Sequence, residues 1–143
     1  MKIIRLLSRY LILLLTLITI GSLSLLMAGL LPQERVEKNV LSSLNQIGAE
    51  LGMDDTNILD NGNWACRLDV YTDYYIVNQS YFMNTRKDPA SVFKNSQNVG
   101  DVNALRSAIE QQQEPNEIYP RYWGGYRATV RSLLTFFTYT QIR

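Results

Sequence analysis

The acidic pair Asp69 and Asp73 is the clearest candidate for chemistry in this chain of 143 residues. The two carboxylates are four residues apart, so a helix would project them from one face toward a cation or a sugar hydroxyl. A carboxylate becomes a useful general base when burial or a neighbouring carboxylate raises its pKa. The alternative is structural, because Thr72 can act as an N-cap with Asp73 in the first turn of a helix. Both interpretations are kept, with Asp69 and Asp73 as candidate catalytic residues.

The composition excludes several other kinds of site. The chain has no histidine, which removes Ser-His-Asp and Cys-His catalysis and histidine-ligated zinc. Cys66 is the single cysteine and cannot form an internal disulfide or a thiolate metal site. The loop with Asp54, Asp55 and Asp60 is rich in oxygen ligands, but its spacing lacks the bidentate Glu of an EF-hand. We therefore predict a solvated loop there, no metal and no cofactor.

A C-terminal group of residues could bind anions. Residues 119–143 include seven Tyr, Trp or Phe side chains, interleaved with arginines. Tyr, Trp and Arg beside an apolar run are typical of a membrane interface, and guanidinium groups bind lipid phosphates. The predicted interface or anion-binding residues are Arg121, Tyr122, Trp123, Tyr126, Arg127 and Arg131. The simpler alternative is surface anchoring without headgroup specificity. Gly124 and Gly125 are expected to form a bend before the last helix.

The segment 10–31 contains no charged residue. As a helix it would be about 33 Å long, enough for a hydrocarbon core of about 30 Å. Pro32 ends this helix, and polar residues follow it. An uncleaved transmembrane helix is the favoured interpretation. The alternative is a signal peptide cleaved near Ser22-Leu23-Ser24, which would leave a small secreted domain.

The charges divide the chain into blocks. Residues 1–9 carry +3, with no acidic residue, so the positive-inside rule places them in the cytoplasm and residues 32–143 outside or at the outer membrane surface. Residues 32–117 carry −6 and residues 118–143 carry +4, which gives a net charge of +1. This balance and the predicted location argue against nucleic-acid binding.

Helical spacing predicts a mainly α fold outside the membrane. An amphipathic helix over 33–51 is indicated by a periodic apolar stripe: Val36, Val40, Leu44, Ile47 and Leu51. Thr72, Asp88-Pro89 and Asp101 are expected to begin further short helices, and no segment alternates in the manner of a strand. Together they form a small helical extracytoplasmic region, 32–117. Residues 118–143 are predicted to be an amphipathic helix in the membrane plane, whose apolar face comprises Tyr126, Val130, Leu133, Leu134 and Phe137.

Several segments together resemble an uncharacterised family of bacterial polytopic membrane proteins. DVYTD at 69–73, followed by YIVNQSY, is similar to the D-x-Y-T-D segment of that family. PRYWGGYRATVRSLLTFFTYTQIR is similar to its P-R-Y-W-x-G-Y…R-x-L-L-x-F-F stretch, and LPQERVEKNVLSSL resembles the start of its first external loop. Members are longer, and the P-R-Y-W stretch leads into their second membrane helix. The resemblance therefore implies the N-terminal part of a multispanning protein.

We expect an integral protein of the bacterial cell envelope that is non-catalytic as it stands. Its partners would be the lipid bilayer and other transmembrane helices of the same or a partner chain. The alternative follows from the layout, which is similar to that of lipid-dependent multispanning glycosyltransferases. Those enzymes use an acidic residue of the first outside loop as base or metal ligand, a role that would fall to Asp69 or Asp73. The enzyme interpretation predicts that Asp73→Asn abolishes activity of the full-length protein, whereas a lost helix cap costs about 1 kcal/mol of stability.

Overall fold

The computed structural model describes residues 2–51, 64–119 and 124–143, and this part of the chain is mainly helical. The helices are α1 (Lys2–Gly29), α2 (Gln33–Leu51), α3 (Trp64–Tyr81), α4 (Val102–Glu110), α5 (Tyr126–Leu134) and α6 (Tyr139–Ile142). Two short strands, β1 (Ser96–Gln97) and β2 (Glu117–Ile118), pair antiparallel with Ser96 opposite Ile118. The prediction of a mainly α fold is confirmed. The expectation that no strand forms is wrong for this one pair, which is too short to produce an alternating pattern.

Helix α1 is long and apolar enough to cross a membrane. Over Ile3–Gly29 its most apolar window has a mean hydropathy of 2.5. Each large apolar side chain from Ile3 to Leu23 is more than half exposed. The hydroxyls of Thr16 and Thr19 donate to the carbonyls of Ile12 and Leu15, so these polar groups are satisfied inside the helix.

The last turns of α1 are built into the folded region. Leu25 and Ala28 are buried against Met83 and Val92, and we call these four residues the α1 seat. The backbone N–H of Thr85 donates to the carbonyl of Gly29 at 3.2 Å. The helix α1 and the folded region are therefore one structural unit, without a flexible linker between them.

The main core lies between α2, α3 and α4. The predicted stripe of α2 is buried, which confirms the amphipathic helix: Val36, Val40, Leu44 and Ile47. It packs against buried residues of α3 and α4, including Val77 and Leu105. Asp101 caps α4 as predicted, because its carboxylate accepts from the N–H of Ala104 at 2.8 Å.

Two predicted helix starts are wrong. Helix α3 begins at Trp64, so Thr72 and Asp73 lie inside it and cap nothing. The reason is a buried stripe that runs through this segment at helical spacing: Val70, Tyr74, Val77 and Tyr81. The Asp88-Pro89 segment forms turns, in which Asp88 accepts from the N–H of Ala90. Val92, which lies in these turns, is one of the four residues of the α1 seat.

The prediction of a single helix over 118–143 is wrong. The described residues of this segment comprise the end of β2, α5 and α6, and α5 packs against α1, α2 and α3. The buried face of α5 is formed by Arg127, Arg131 and Leu134, while Tyr126 and Phe137 are exposed. The face that carries the arginines is therefore turned inward, which the distribution of apolar residues alone did not indicate.

Candidate functional site

Arg131 lies at the junction of three helices. It is fully buried, and its Nε donates to the carbonyl of Ala28 at the end of α1, at 2.9 Å. Its Nη1 donates to the carbonyls of Ser80 and Tyr81 at the end of α3, both at 3.0 Å. Its Nη2 donates to Oε1 of Gln33, the first residue of α2, at 2.7 Å. One guanidinium thus joins the ends of α1 and α3 to the start of α2.

The buried charge of Arg131 is tolerated because of what surrounds it. The last carbonyls of a helix carry the negative end of its macrodipole, and two such helix ends point at this guanidinium. Among residues 2–51, 64–119 and 124–143, no ion pair joins Arg131 to a carboxylate. Burial lowers the pKa of Arg131 to about 10, so the side chain remains protonated at neutral pH. Helix ends take the place of a counter-ion at this site.

Arg127 is the second buried arginine of α5 and holds the turn before β1. Its Nη2 donates to the carbonyl of Val92 at 2.8 Å, and its Nη1 donates to the carbonyl of Lys94 at 2.7 Å. Its Nε donates to the carbonyl of Gly124 at 3.1 Å. A Cβ at Gly124 would collide with the Nε of Arg127, so the glycine makes room for this side chain. That close approach accounts for the glycine at position 124.

The structure changes the interpretation of the predicted interface residues. Arg121, Tyr122 and Trp123 lie outside the described residues. The prediction that Arg127 and Arg131 lie at the membrane interface, to bind anions or to anchor the surface, is wrong because their guanidinium groups are buried and bonded to backbone carbonyls.

Tyr126, another predicted interface residue, is exposed. Its hydroxyl donates to Oε1 of Gln79 at 2.5 Å. The amide of Gln79 donates to Gln97, which in turn donates to Glu117. Tyr126 therefore begins a chain of side-chain hydrogen bonds that links α5, α3 and both strands.

The sequence did contain a signal for the buried arginines. Arg127, Arg131 and Leu134 follow the i, i+4, i+7 spacing of a buried helix face. Apolar residues at this spacing would be assigned to a core, but two of these three residues are arginines, which are usually exposed. The carbonyls that satisfy the charges come from residues far away in the chain, so the partners could not be found from spacing.

The candidate base Asp73 belongs to a cluster at the opposite end of the folded region. Its Oδ1 accepts from the hydroxyl of Tyr139 at 2.7 Å, and its Oδ2 lies 3.5 Å from the Nε of Arg143. Arg143 also pairs with Glu50 at 2.6 Å, and this bond lowers the pKa of Glu50. The cluster fastens α6 to α2 and α3. The side chain of Asp69 lies outside the described part.

Replacing Tyr139 with phenylalanine tests this cluster. We expect Tyr139→Phe to lower the free energy of unfolding by about 1–2 kcal/mol, since a hydrogen bond to a carboxylate is lost. Tyr71→Phe on α3 is the control, because Tyr71 is exposed and its side-chain hydrogen bond is to the neutral Tyr75 rather than to a carboxylate, so this substitution should change stability by less than about 0.5 kcal/mol. Thermal unfolding of the full-length protein in detergent measures both. Equal effects of the two substitutions would contradict the role given to Tyr139.

The same pair of proteins should differ in pH dependence. Burial raises the pKa of Tyr139, and the hydrogen bond to Asp73 raises it further. The contribution of Tyr139 is therefore complete below the ordinary tyrosine pKa of about 10 and is lost as pH rises through the higher folded value. We expect a constant difference in unfolding temperature between wild type and Tyr139→Phe up to about pH 9, and a shrinking one above about pH 10. A difference that does not depend on pH would contradict this.

A polar network fills the space between α3 and the segment before α4. Asn78 is fully buried, and its amide donates to the carbonyl of Asn98 at 2.8 Å while its Oδ1 accepts from the N–H of Asn98 at 3.0 Å. Its amide also donates to the hydroxyl of Tyr74 at 3.3 Å. The tripeptide Asn78-Gln79-Ser80 is a formal glycosylation sequon, but a side chain this deep has no room for a glycan. The network is structural.

A polar cleft of about 330 Å³ lies between the start of α2 and the segment after α4. Two of its acidic side chains, Asp88 and Glu114, are paired with Lys94 and Lys87. In the part of the chain that the structure describes, no group of three or more Cys, Asp or Glu side chains is close enough to hold a metal ion. The cleft offers hydrogen-bonding groups, and its geometry assigns no reaction to them.

Comparison with known proteins assigns no function to these features. No family model matches the chain, and searches of the curated proteins and of the solved structures found no match.

Proposed function

We propose that this chain is a membrane-anchored, non-catalytic segment, the N-terminal part of a multispanning envelope protein, in which α1 crosses the bilayer and packs with other membrane helices. The proposal rests on the difference in side-chain exposure between the first part of α1 and its last turns. Its large apolar side chains from Ile3 to Leu23 are more than half exposed, whereas Leu25 and Ala28 are buried. Hydrating such a surface costs about 25 cal/mol per Å², so α1 needs lipid or other helices around it.

The buried contacts at the end of α1 support a packing role. The guanidinium of Arg131 donates to the carbonyl of Ala28, and the backbone N–H of Thr85 donates to the carbonyl of Gly29. These bonds set the direction in which α1 leaves the folded region. A flexible tether would not need them, whereas a helix that presents a defined face to neighbouring helices does.

We also favour the uncleaved anchor over the secreted domain, because the uncharged segment 10–31 is longer than the apolar region of about 7–15 residues in a signal peptide. Ser22, Leu23 and Ser24 lie inside the continuous helix, and the hydroxyl of Ser24 donates to the carbonyl of Ile20 at 2.9 Å. The next residue, Leu25, is already buried in the α1 seat.

The proposed orientation places the N-terminus in the cytoplasm. The basic residues at the start of α1 would remain on the inner side, following the positive-inside rule. The folded region, α2 to α6, would lie outside, on or near the membrane surface.

Cysteine labelling in intact cells tests this topology. In a Cys66→Ser background, Gln111→Cys places a thiol on the exposed end of α4, and Ser8→Cys places one near the start of α1. We expect a membrane-impermeant maleimide to label Gln111→Cys and not Ser8→Cys until the cells are opened. The protein should stay in the membrane fraction at alkaline pH with an intact N-terminus. A soluble protein that begins after Ser24 would overturn the proposal.

The glycosyltransferase-like alternative depends on a free acidic side chain in the outside loop. The carboxylate of Asp73 accepts from Tyr139 and lies close to Arg143. This arrangement favours a structural role for Asp73 over the role of a general base.

A further inference from the structure

We propose that the turn at residues 88–94, here called the Phe93 turn, inserts the ring of Phe93 into the acyl chains of the leaflet next to the folded region. The inference rests on the proposed function, because it requires α1 to cross the bilayer. It adds a second point of lipid contact, on a segment that the sequence did not single out as membrane-facing.

The first argument is the position of Phe93 along the axis of α1, measured from the end of that helix at Gly29. Its side chain is 58% exposed and lines an apolar groove of about 250 Å³ together with Leu17, Ile18, Ser22 and Leu25 of α1. Ser22 is seven residues before Gly29, the last residue of α1, which is a rise of about 10 Å. If α1 crosses the bilayer, this groove lies at the depth of the acyl chains rather than of the headgroups.

The second argument is that hydrogen bonds and burial fix the backbone of the Phe93 turn at this position beside α1. Arg127 donates to the carbonyls of Val92 and Lys94, the residues on either side of Phe93. Val92 itself is fully buried in the α1 seat. The backbone N–H of Phe93 donates to the carbonyl of Ala90 at 3.0 Å. The backbone on both sides of Phe93 is therefore fixed, and lipid around the exposed ring would remove its apolar surface from water.

The third argument is the charge around the ring. Residues 86–94 contain three cations, Arg86, Lys87 and Lys94, of which Lys94 pairs with Asp88 and Lys87 pairs with Glu114, so the segment and its partners carry a net charge of +1. Arg86 and Lys87 are exposed. This charge suits a membrane, where an apolar ring enters the acyl chains while nearby basic side chains reach toward the phosphates. The groove is contiguous with the exposed apolar surface of α1, because Leu17 and Ile18 belong to both. Lipid that surrounds α1 would therefore contact Phe93 as well.

Fluorescence quenching by lipid-bound doxyl groups tests the depth of Phe93. The full chain with Cys66→Ser is placed in vesicles of phosphatidylcholine and phosphatidylglycerol, with one nitrobenzoxadiazole-labelled cysteine at a time. Phe93→Cys is the test position, Leu14→Cys on α1 reports on membrane insertion, and Val99→Cys is the matched control. Val99 is an apolar side chain that is 54% exposed, on the segment that precedes α4.

We expect doxyl lipids to quench the Phe93 and Leu14 probes to a similar degree, several-fold more than the Val99 probe. If the Leu14 probe is quenched and the Phe93 probe is no better quenched than Val99, the inference is wrong and the proposed function stands. If the Phe93 probe is shielded from both doxyl lipid and aqueous iodide, protein covers it, and lipid contact is again wrong. If the Leu14 probe is not quenched, the proposed function itself fails, and the inference fails with it.

Discussion

Replacing Arg131 with leucine is expected to lower the free energy of unfolding by about 3–5 kcal/mol, the range found when one member of a buried polar cluster is removed. The substitution leaves the carbonyls of Ala28, Ser80 and Tyr81 without their donor in a buried site. Since a small domain has only about 5–15 kcal/mol of stability, much of the fold's margin would be lost. Thermal unfolding in detergent should show a decrease of more than about 15 °C.

A matched control and a conservative variant make this prediction specific. Arg35→Leu removes an exposed arginine from α2 and should change stability by less than about 0.5 kcal/mol. Arg131→Lys keeps the charge, but an ammonium cannot reach acceptors that lie in several directions, so we expect an intermediate stability. If Arg131→Leu is as stable as Arg35→Leu, the guanidinium does not hold the helices together. If Arg131→Lys is as stable as the wild type, the positive charge stabilises the fold, and the several N–H donors of the guanidinium are not needed.

The second large effect is expected at Asn78. Asn78→Leu keeps the approximate size of the side chain but leaves both the N–H and the carbonyl of Asn98 without a partner. Each orphaned buried group costs about 1–3 kcal/mol, so we expect a loss of about 2–4 kcal/mol. The unfolding temperature should fall by about 10 °C or more. Amide hydrogen exchange at Asn98 should accelerate along with the global loss, because its acceptor is gone.

Asn103→Leu is the control for Asn78→Leu. Asn103 lies on α4, where its side chain is exposed, and leucine is a better helix former than asparagine. We expect this variant to be as stable as the wild type or slightly more stable. If Asn78→Leu changes stability as little as Asn103→Leu, then water satisfies the backbone groups of Asn98 after Asn78 is replaced.

Local patterns in the sequence predicted those elements that depend on local physics. The uncharged segment 10–31 predicted the apolar part of α1, and the apolar stripe predicted α2 almost to the residue. Asp101 predicted the start of α4, because a cap is a contact between residues three apart. The same local rule was wrong at Thr72 and Asp73, where packing of the neighbouring aromatic and apolar residues extends the helix through the potential cap.

The orientation of α5 illustrates what local patterns could not determine. Judged alone, its apolar and aromatic residues favour an exposed arginine face at a membrane surface. In the fold, Arg131 contacts the carbonyl of Ala28, which is 103 residues away in the chain, and Arg127 contacts the carbonyl of Val92, 35 residues away. Only when α1 and α3 end at the same place do enough free carbonyls meet to make a buried guanidinium favourable.

The sequence by itself determined that this protein has an apolar helix long enough for a membrane, followed by a mainly helical region. These properties follow from hydropathy and from contacts between residues three or four positions apart. The tertiary structure decided which face of α5 is buried, that Asp73 fastens α6, and that Phe93 lies beside α1. The physical reason is that helix-end carbonyls, buried amides and aromatic rings find partners far apart in the chain, and only the folded arrangement brings those partners together.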